Sequence, residues 1–449
     1  MTAPPLAERV TWTEADRPHS ALWRSEGGLP APRRVAVVDD RLKADAAYKL
    51  VCEGTALLWR GDFHNARQLL TALARRMDRR PRKAPVPPDH ATQDPALAFH
   101  RHRAAQHQRA RILGMLLVPL SADYTVPLRR APRVHDACVQ AYGPVDGRTE
   151  HPGDTAGTAV ARNVDGVVDP RRPGGAGGAE DFVSAEGPGG TEDSVSAEGP
   201  GGAEGPGGAG DGWLVSLREL LGVVGAWEWR RKGVEIPALG GDRVHPFYGV
   251  FSPVRGEYVD LVARAPLPAD DLAFDIGTGT GVLAAVLARR GVARVVATDL
   301  APRALACARE NVTQLGVGDR VEVVAADLFP EGRAPLVVCN PPWVPAKPTS
   351  AVEHAVYDPG SRMLRGFLTG LPDHLTPGGE GWLILSDLAE HLGLRARTEL
   401  PALIDAAGLR VLDRLDIAPR HPRARDTTDP LHTARAAEVT SLWRLAVAR

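Results

Sequence analysis

The segment Asp275-Ile-Gly-Thr-Gly-Thr-Gly281, preceded by the apolar residues Leu272, Ala273 and Phe274 and followed by the apolar stretch from Val282, constrains the fold more than any other part of the chain. Glycines at alternate positions let a backbone leave a strand, turn tightly and enter a helix while staying close enough to a ligand for direct contact. Taken alone, the loop fits a dinucleotide-binding domain or a mere turn.

Downstream, apolar runs of strand length alternate with helical patterns. Strands are expected at Leu272–Ile276, Arg294–Thr298, Val321–Ala325, Leu336–Cys339 and Gly381–Ser386, with helices after Gly281, from Pro302 and near Met363–His374. That alternation predicts an α/β fold, a mostly parallel sheet covered by helices on both sides. Leu409–Ile417 and Glu438–Val447 are separated by little more than an arginine-rich loop, which predicts an antiparallel pair at the C-terminal edge.

At 449 residues, with 47 glycines and 39 prolines, the chain is too long for one small domain and too rich in turn formers to be packed throughout. From 143 to 211 hydrophobic periodicity is lost, and Ala-Glu-Gly-Pro-Gly-Gly recurs at Ala185, Ala197 and, as Ala203-Glu-Gly-Pro-Gly-Gly208, once more. Such a stretch cannot bury enough apolar surface to offset its ordering entropy, so a disordered Gly/Pro/acidic linker is expected there. It divides a basic, mainly helical accessory domain (1–142) from a catalytic domain (212–449). In the first, Phe63–Arg80 sets Ala66, Leu69, Leu70, Leu73 and Met77 on one helical face, with Arg67, Arg75, Arg76 and Arg79 elsewhere. A second basic helix starts at Asp94 as N-cap, with Pro95 in its first turn, and runs toward Leu117. These arginines are either a solvated face or a surface for RNA or the ribosome. Beyond the linker, Trp213–Arg231 reads as an amphipathic helix and Phe247–Val254 as extended chain.

Cys52, Cys138, Cys307 and Cys339 lack the close spacing of a zinc site or a disulfide framework, and His245, His354 and the histidines from His100 to His107 form no metal-ligand pattern. A cytoplasmic, non-membrane protein without a metal is expected, since Met1–Val10 has no secretory pattern and no apolar run reaches about 18 residues.

The strand Val295-Val-Ala-Thr-Asp299 ends in an acid placed to accept both hydroxyls of a ribose. The next ends in Ala325-Ala-Asp327-Leu328-Phe329, where Asp327 suits an adenine amino group and Leu328 the side of the ring. Each acid could instead cap a helix, Asp299 before Leu-Ala-Pro302 in particular. The fourth strand favours one reading, because Leu336-Val-Val-Cys-Asn340-Pro341-Pro342-Trp343 ends in a rigid corner with no use in nicotinamide chemistry. Its prolines restrict the backbone, so the Asn340 side-chain oxygen and the Pro341 carbonyl become fixed acceptors for an NH2 group, and Trp343 offers a flat face. Orientation of a nitrogen toward a methyl donor is then the main source of rate.

Phe247 to about Ser386 resembles the class I S-adenosylmethionine-dependent methyltransferases with an N-P-P-[YFW] motif, which include release-factor glutamine methyltransferases and rRNA and DNA amino-methyltransferases. Ser252-Pro-Val-Arg-Gly-Glu257-Tyr-Val-Asp-Leu261, Asp327-Leu-Phe and Asn340-Pro-Pro-Trp-Val-Pro345 are similar to the glutamine enzymes. Trp343 stands where that family more often has Tyr or Phe, and Tyr357-Asp-Pro-Gly-Ser-Arg-Met363 departs from its pattern. The resemblance implies a Rossmann-like class I sheet, S-adenosyl-L-methionine as cofactor, Asp275, Gly277, Gly279, Asp299, Asp327 and Leu328 as cofactor contacts, and Asn340, Pro341 and Trp343 as the catalytic clamp.

The function this implies is methyl transfer to a planar amide or exocyclic amino nitrogen of a macromolecule, a protein glutamine or an RNA or DNA base. Arg420, Arg423, Arg425 and Arg435 add to the nucleic-acid side. The alternative is an inactive S-adenosylmethionine-binding scaffold or regulator. Glu257 would shape the methionine end of the pocket or face solvent, and Tyr357, Asp358 and Arg362 would form an acceptor loop or a helix cap.

Overall fold

The computed structural model describes residues 8–78, 94–145, 212–348, 352–420 and 422–448. From residue 146 onward the expected linker therefore lies outside the described residues. In chain order the first elements are β1 (Arg9–Glu14), β2 (Arg17–Arg24), β3 (Val35–Val38), α1 (Ala44–Cys52), β4 (Ala56–Trp59), α2 (Phe63–Asp78), α3 (Pro95–Leu113), β5 (Leu116–Leu120), α4 (His135–Tyr142), β6 (Trp213–Ser216) and α5 (Leu217–Lys232).

Residues 8–78, 101–138 and 212–226 make up one compact unit. Its centre is a six-stranded mixed sheet in the order β1-β2-β6-β5-β4-β3, which corrects the expectation of a mainly helical domain. The strands escaped a periodicity reading because β3, β4 and β5 are apolar runs of four or five residues, too short to distinguish from pieces of buried helix. The boundary at 212 also moves. Trp213–Ser216 is a strand that pairs parallel to β2 and antiparallel to β5, so it is an interior strand of this sheet rather than the start of a helix in the catalytic domain. Helix α2 matches expectation, with Phe63, Ala66, Leu69 and Leu73 buried and Arg67 and Arg75 exposed. Two of the arginines on the basic helices are already paired within the unit, Arg76 with Asp45 at 2.8 Å and Arg109 with Asp78.

Residues 94–100, 139–145, 227–348, 352–420 and 422–448 form the second unit. Asp94 caps α3 as expected, its Oδ1 accepting the Ala96 amide at 3.0 Å. The chain continues through β7 (Val234–Glu235), β8 (Arg243–Val244), α6 (Glu257–Arg264), β9 (Leu272–Ile276), α7 (Val282–Arg289), β10 (Arg294–Asp299), α8 (Pro302–Gln314), β11 (Val321–Ala325) and β12 (Ala334–Cys339). It ends with α9 (Arg362–His374), β13 (Leu375–Ser386), α10 (Leu388–His391), α11 (Glu399–Ala406), β14 (Leu409–Ile417), α12 (His432–Ala437) and β15 (Thr440–Val447). Residues 247–254, expected as extended chain, are turns and irregular backbone.

Seven strands assemble in the order β11-β10-β9-β12-β13-β15-β14. The first five are parallel, and β15 and β14 run antiparallel at the C-terminal edge, as the sequence led one to expect. Alternate residues of each parallel strand serve opposite faces. Ala273, Leu336, Val338 and Ile384 pack with α6 and α7, whereas Phe274, Val337, Cys339 and Leu383 pack with α9 and α11. Both faces are thus covered, which explains why these strands read as continuous apolar runs. The arrangement is a Rossmann-like, doubly wound sheet whose order reverses between β9 and β12.

Candidate active site

Ligands of open α/β sheets sit beyond the carboxyl ends of the strands where the order reverses. Here that point lies between β9 and β12, which pair with Ile276 opposite Cys339. The next residues are Gly277 and Asn340, so the glycine loop and the Asn-Pro-Pro-Trp corner leave the sheet side by side. On the other flank of β9, Thr298 pairs with Ile276, and Asp299 pairs with Ala325 of β11. The parallel register therefore brings Asp275, Gly277, Gly279, Asp299, Asp327 and Asn340 to one end of the sheet.

The loop is shaped from within. Gly277, Gly279 and Gly281 have φ of 71°, 55° and 80°, which other residues adopt only with strain. A Cβ at Gly281 would lie 3.3 Å from the Ala308 backbone and 3.2 Å from Val312, so this glycine serves close packing of α7 on α8. At Gly279 a Cβ would meet nothing within 4 Å, so the loop is open there.

Asp275 is buried and faces the loop itself. Its Oδ2 accepts the Thr278 hydroxyl at 2.6 Å and the Ala284 amide at 3.1 Å. Burial pushes its carboxyl up to about 6, against the lowering effect of those two donors. Asp299, at the end of β10, accepts the Gly279 amide at 3.0 Å on one oxygen and the Ala301 amide at 2.9 Å on the other. It is therefore both a brace for the loop and a turn former just before α8, whose N-cap is Ala301.

Asp327 is exposed at the end of β11. Leu328 follows with φ of 70°, held by its carbonyl, which accepts the Thr298 hydroxyl at 2.6 Å. An ordered non-glycine residue in this region stores strain that the neighbouring structure must support. The Leu328 side chain packs on Gly366 of α9, where a Cβ would come within 2.7 Å of its Cδ1.

The Asn-Pro-Pro-Trp corner closes on itself. The Trp343 indole N–H donates to Asn340 Oδ1 over 2.8 Å, and Arg395 Nη2 donates to the Trp343 carbonyl over 3.1 Å. The following chain is pinned by Val344, whose carbonyl accepts the Asp358 amide at 2.9 Å. Asp358 Oδ2 in turn accepts the amides of Met363 and Leu364 at 2.9 and 3.3 Å, so it caps α9. Burial raises its carboxyl above the ordinary value in spite of these donors.

Of the two readings of Glu257, the solvent-facing one is excluded, since the residue is buried and its Oε1 accepts the Arg420 amide at 2.6 Å. Arg435 is buried and paired with Asp429 at 2.8 Å, so it is not part of a basic surface. Arg395 was missed because it lies 52 residues from the carbonyl it holds, with no local motif to mark it. Among the described residues, no group of His, Cys, Asp and Glu could hold a metal, and no helix is long and apolar enough to cross a membrane.

The glycine loop, a strand-terminal acid and the rigid Asn-Pro-Pro-Trp corner are thus gathered at the switch point of a doubly wound sheet, where such sheets take their ligands. Residues 249–394 match the model of the methyltransferase small domain. A release factor glutamine methyltransferase of Cereibacter sphaeroides is 38% identical over 189 residues, covering 38% of this chain and 65% of that protein. A tRNA1(Val) (adenine(37)-N6)-methyltransferase of Shewanella is 31% identical over 109 residues, covering 23% of this chain and 46% of the relative. Among solved structures, a putative RNA methyltransferase from Pyrococcus horikoshii aligns with a TM-score of 0.33 at 18% identity, over 49% of this chain and all of the other. The chain thus spans less than two thirds of the length of these two sequence relatives.

Proposed function

We propose that this protein is an S-adenosylmethionine-dependent N-methyltransferase acting on a planar amide or exocyclic amino nitrogen of a macromolecule. The observation that carries the reading is the pairing of Ile276 with Cys339, which sets the glycine loop and Asn340 next to one another at the switch point. The fit to the cofactor rests on the same end of the sheet: an open face at Gly279, the Asp299 carboxylate against that loop, and an exposed Asp327 one strand further. Asp299 would hold the ribose hydroxyls and Asp327 the adenine amino group. Asp275 keeps the loop closed beneath them, and Leu328 sets the wall of the pocket through its backbone turn.

Bound S-adenosylmethionine supplies a methyl group already activated by its sulfonium charge. The protein's part is orientation. Asn340 Oδ1 and the Pro341 carbonyl accept the two hydrogens of the acceptor NH2, aim its lone pair at the methyl carbon and stabilise the nitrogen as it turns cationic. Trp343 lies along the flat acceptor group, and the surplus proton leaves to solvent.

Of the two acceptor classes, a protein glutamine is favoured by the relative with the wider coverage, a glutamine methyltransferase. A nucleic-acid base is the second reading, supported by the tRNA adenine methyltransferase and by exposed Arg67 and Arg75 on α2, where RNA or the ribosome would be met. A cytoplasmic location suits either acceptor. Incorporation of labelled methyl from S-adenosylmethionine into cell extract pretreated with RNase or with protease separates them. Signal lost only with protease identifies a protein acceptor, signal lost only with RNase an RNA, and no incorporation into untreated extract contradicts the proposal.

A further inference from the structure

Trp343 occupies the aromatic position of the corner, yet its contact is polar as well as planar. Indole N–H is a donor only. By giving that hydrogen to Asn340 Oδ1 at 2.8 Å, it determines which end of the Asn340 amide is oxygen and in which direction the oxygen faces. A phenyl or phenol ring has no such N–H. The oxygen has two lone pairs, so one remains for an acceptor hydrogen while the other is held.

The main chain of Trp343 is itself held. Arg395 is 5% exposed, and its Nη2 donates to the Trp343 carbonyl at 3.1 Å. Among the described residues its Nε and Nη1 have no hydrogen-bond partner. Burying a guanidinium with donors unused costs stability, so packing alone gives little reason for an arginine here. Among the described residues, its one hydrogen bond goes to Trp343, whose indole holds Asn340.

We infer that Arg395 and Trp343 are positioning residues that act in series, Arg395 fixing the Trp343 backbone and the Trp343 indole fixing the Asn340 amide for the acceptor nitrogen. The inference rests on the methyl-transfer reading above. It assigns Trp343 a role separate from stacking, and gives Arg395 a role that depends on Trp343.

The test uses the full chain, labelled S-adenosylmethionine, and desalted cell extract as the acceptor source. Trp343→Phe keeps the ring and removes the N–H. Arg395→Met removes the donor but keeps an apolar side chain of similar length, and Arg395→Lys keeps a donor. Trp343→Phe and Arg395→Met are each expected to lower the maximal rate about tenfold, less than the loss of the Asn340 amide itself because each acts only through its orientation, without changing the half-saturating cofactor concentration. In the double variant the losses should not multiply, because the residues act as a unit. Arg395→Lys should recover most of the rate, and Arg395→Met should melt no lower than the parent. Multiplying losses, a parental rate in Trp343→Phe, or an Arg395→Met defect that tracks a lowered melting temperature without rescue by Lys would each overturn the inference. Asn340→Ala is run alongside: parental transfer there overturns the methyl-transfer reading itself, whereas an inactive Asn340→Ala beside a fully active Trp343→Phe overturns only the serial positioning.

Discussion

The carboxylate of Asp299 accepts the backbone N–H of Gly279 at 3.0 Å, joining the end of β10 to the middle of the glycine loop on β9. One acid thus shapes the loop that it would also serve as a ribose contact. Asp299→Ala is expected to weaken S-adenosylmethionine binding by at least the value of one charge-assisted hydrogen bond, about 1.5 to 3 kcal/mol. Calorimetric titration reads this directly, and unchanged affinity would remove Asp299 from the cofactor site.

The loop glycines should respond differently to the same substitution. At Gly279 an added Cβ enters open space, so Gly279→Ala should leave a folded protein bearing only backbone strain, about 1 to 2 kcal/mol, while obstructing the cofactor. At Gly281 strain is joined by contact with the Ala308 backbone, so a larger loss of melting temperature is expected. Paired thermal melts and cofactor titrations check the contrast, and equal stability losses would contradict it.

Asp275 carries a pH signature. Its carboxyl stands near 6 in the folded protein, raised by burial above the ordinary 3.8. Between those values the folded state binds more protons than the unfolded one, so this group makes stability fall as pH rises from about 4 to about 6, with no further change above. The sign is opposite to that of an ion-paired aspartate. Denaturant melts at a series of pH values should show that Asp275→Asn removes this component of the slope. A parental slope in the variant would show that Asp275 titrates at its ordinary value.

The second unit was largely legible because its strands are buried on both faces and its candidate site lies at strand ends. Leu272–Ile276 and Leu336–Cys339 read as largely apolar strands, and the glycine loop after the first and Asn340 after the second mark the switch point. The N-terminal sheet was not legible: its strands are short, and β6 enters between β2 and β5 from almost 190 residues beyond β2 in sequence. Pairing at that separation leaves no local pattern. The same limit hid Arg395, whereas Asp358, identified beforehand as an acceptor-loop residue or a cap, proves to cap α9 through contacts five and six residues away.

In the proposed mechanism Asn340 orients the acceptor nitrogen and has no part in holding the cofactor. Asn340→Ala, assayed for labelled methyl transfer into cell extract alongside calorimetric S-adenosylmethionine binding and a thermal melt, tests it most directly. Transfer should be lost, with several kcal/mol of transition-state stabilisation removed, about 3 kcal/mol or more, while cofactor affinity moves by less than about 1 kcal/mol and the melt stays near the parent's. Parental transfer rates in a folded, cofactor-binding Asn340→Ala would contradict the account and leave Asn340 as a turn residue at the end of β12.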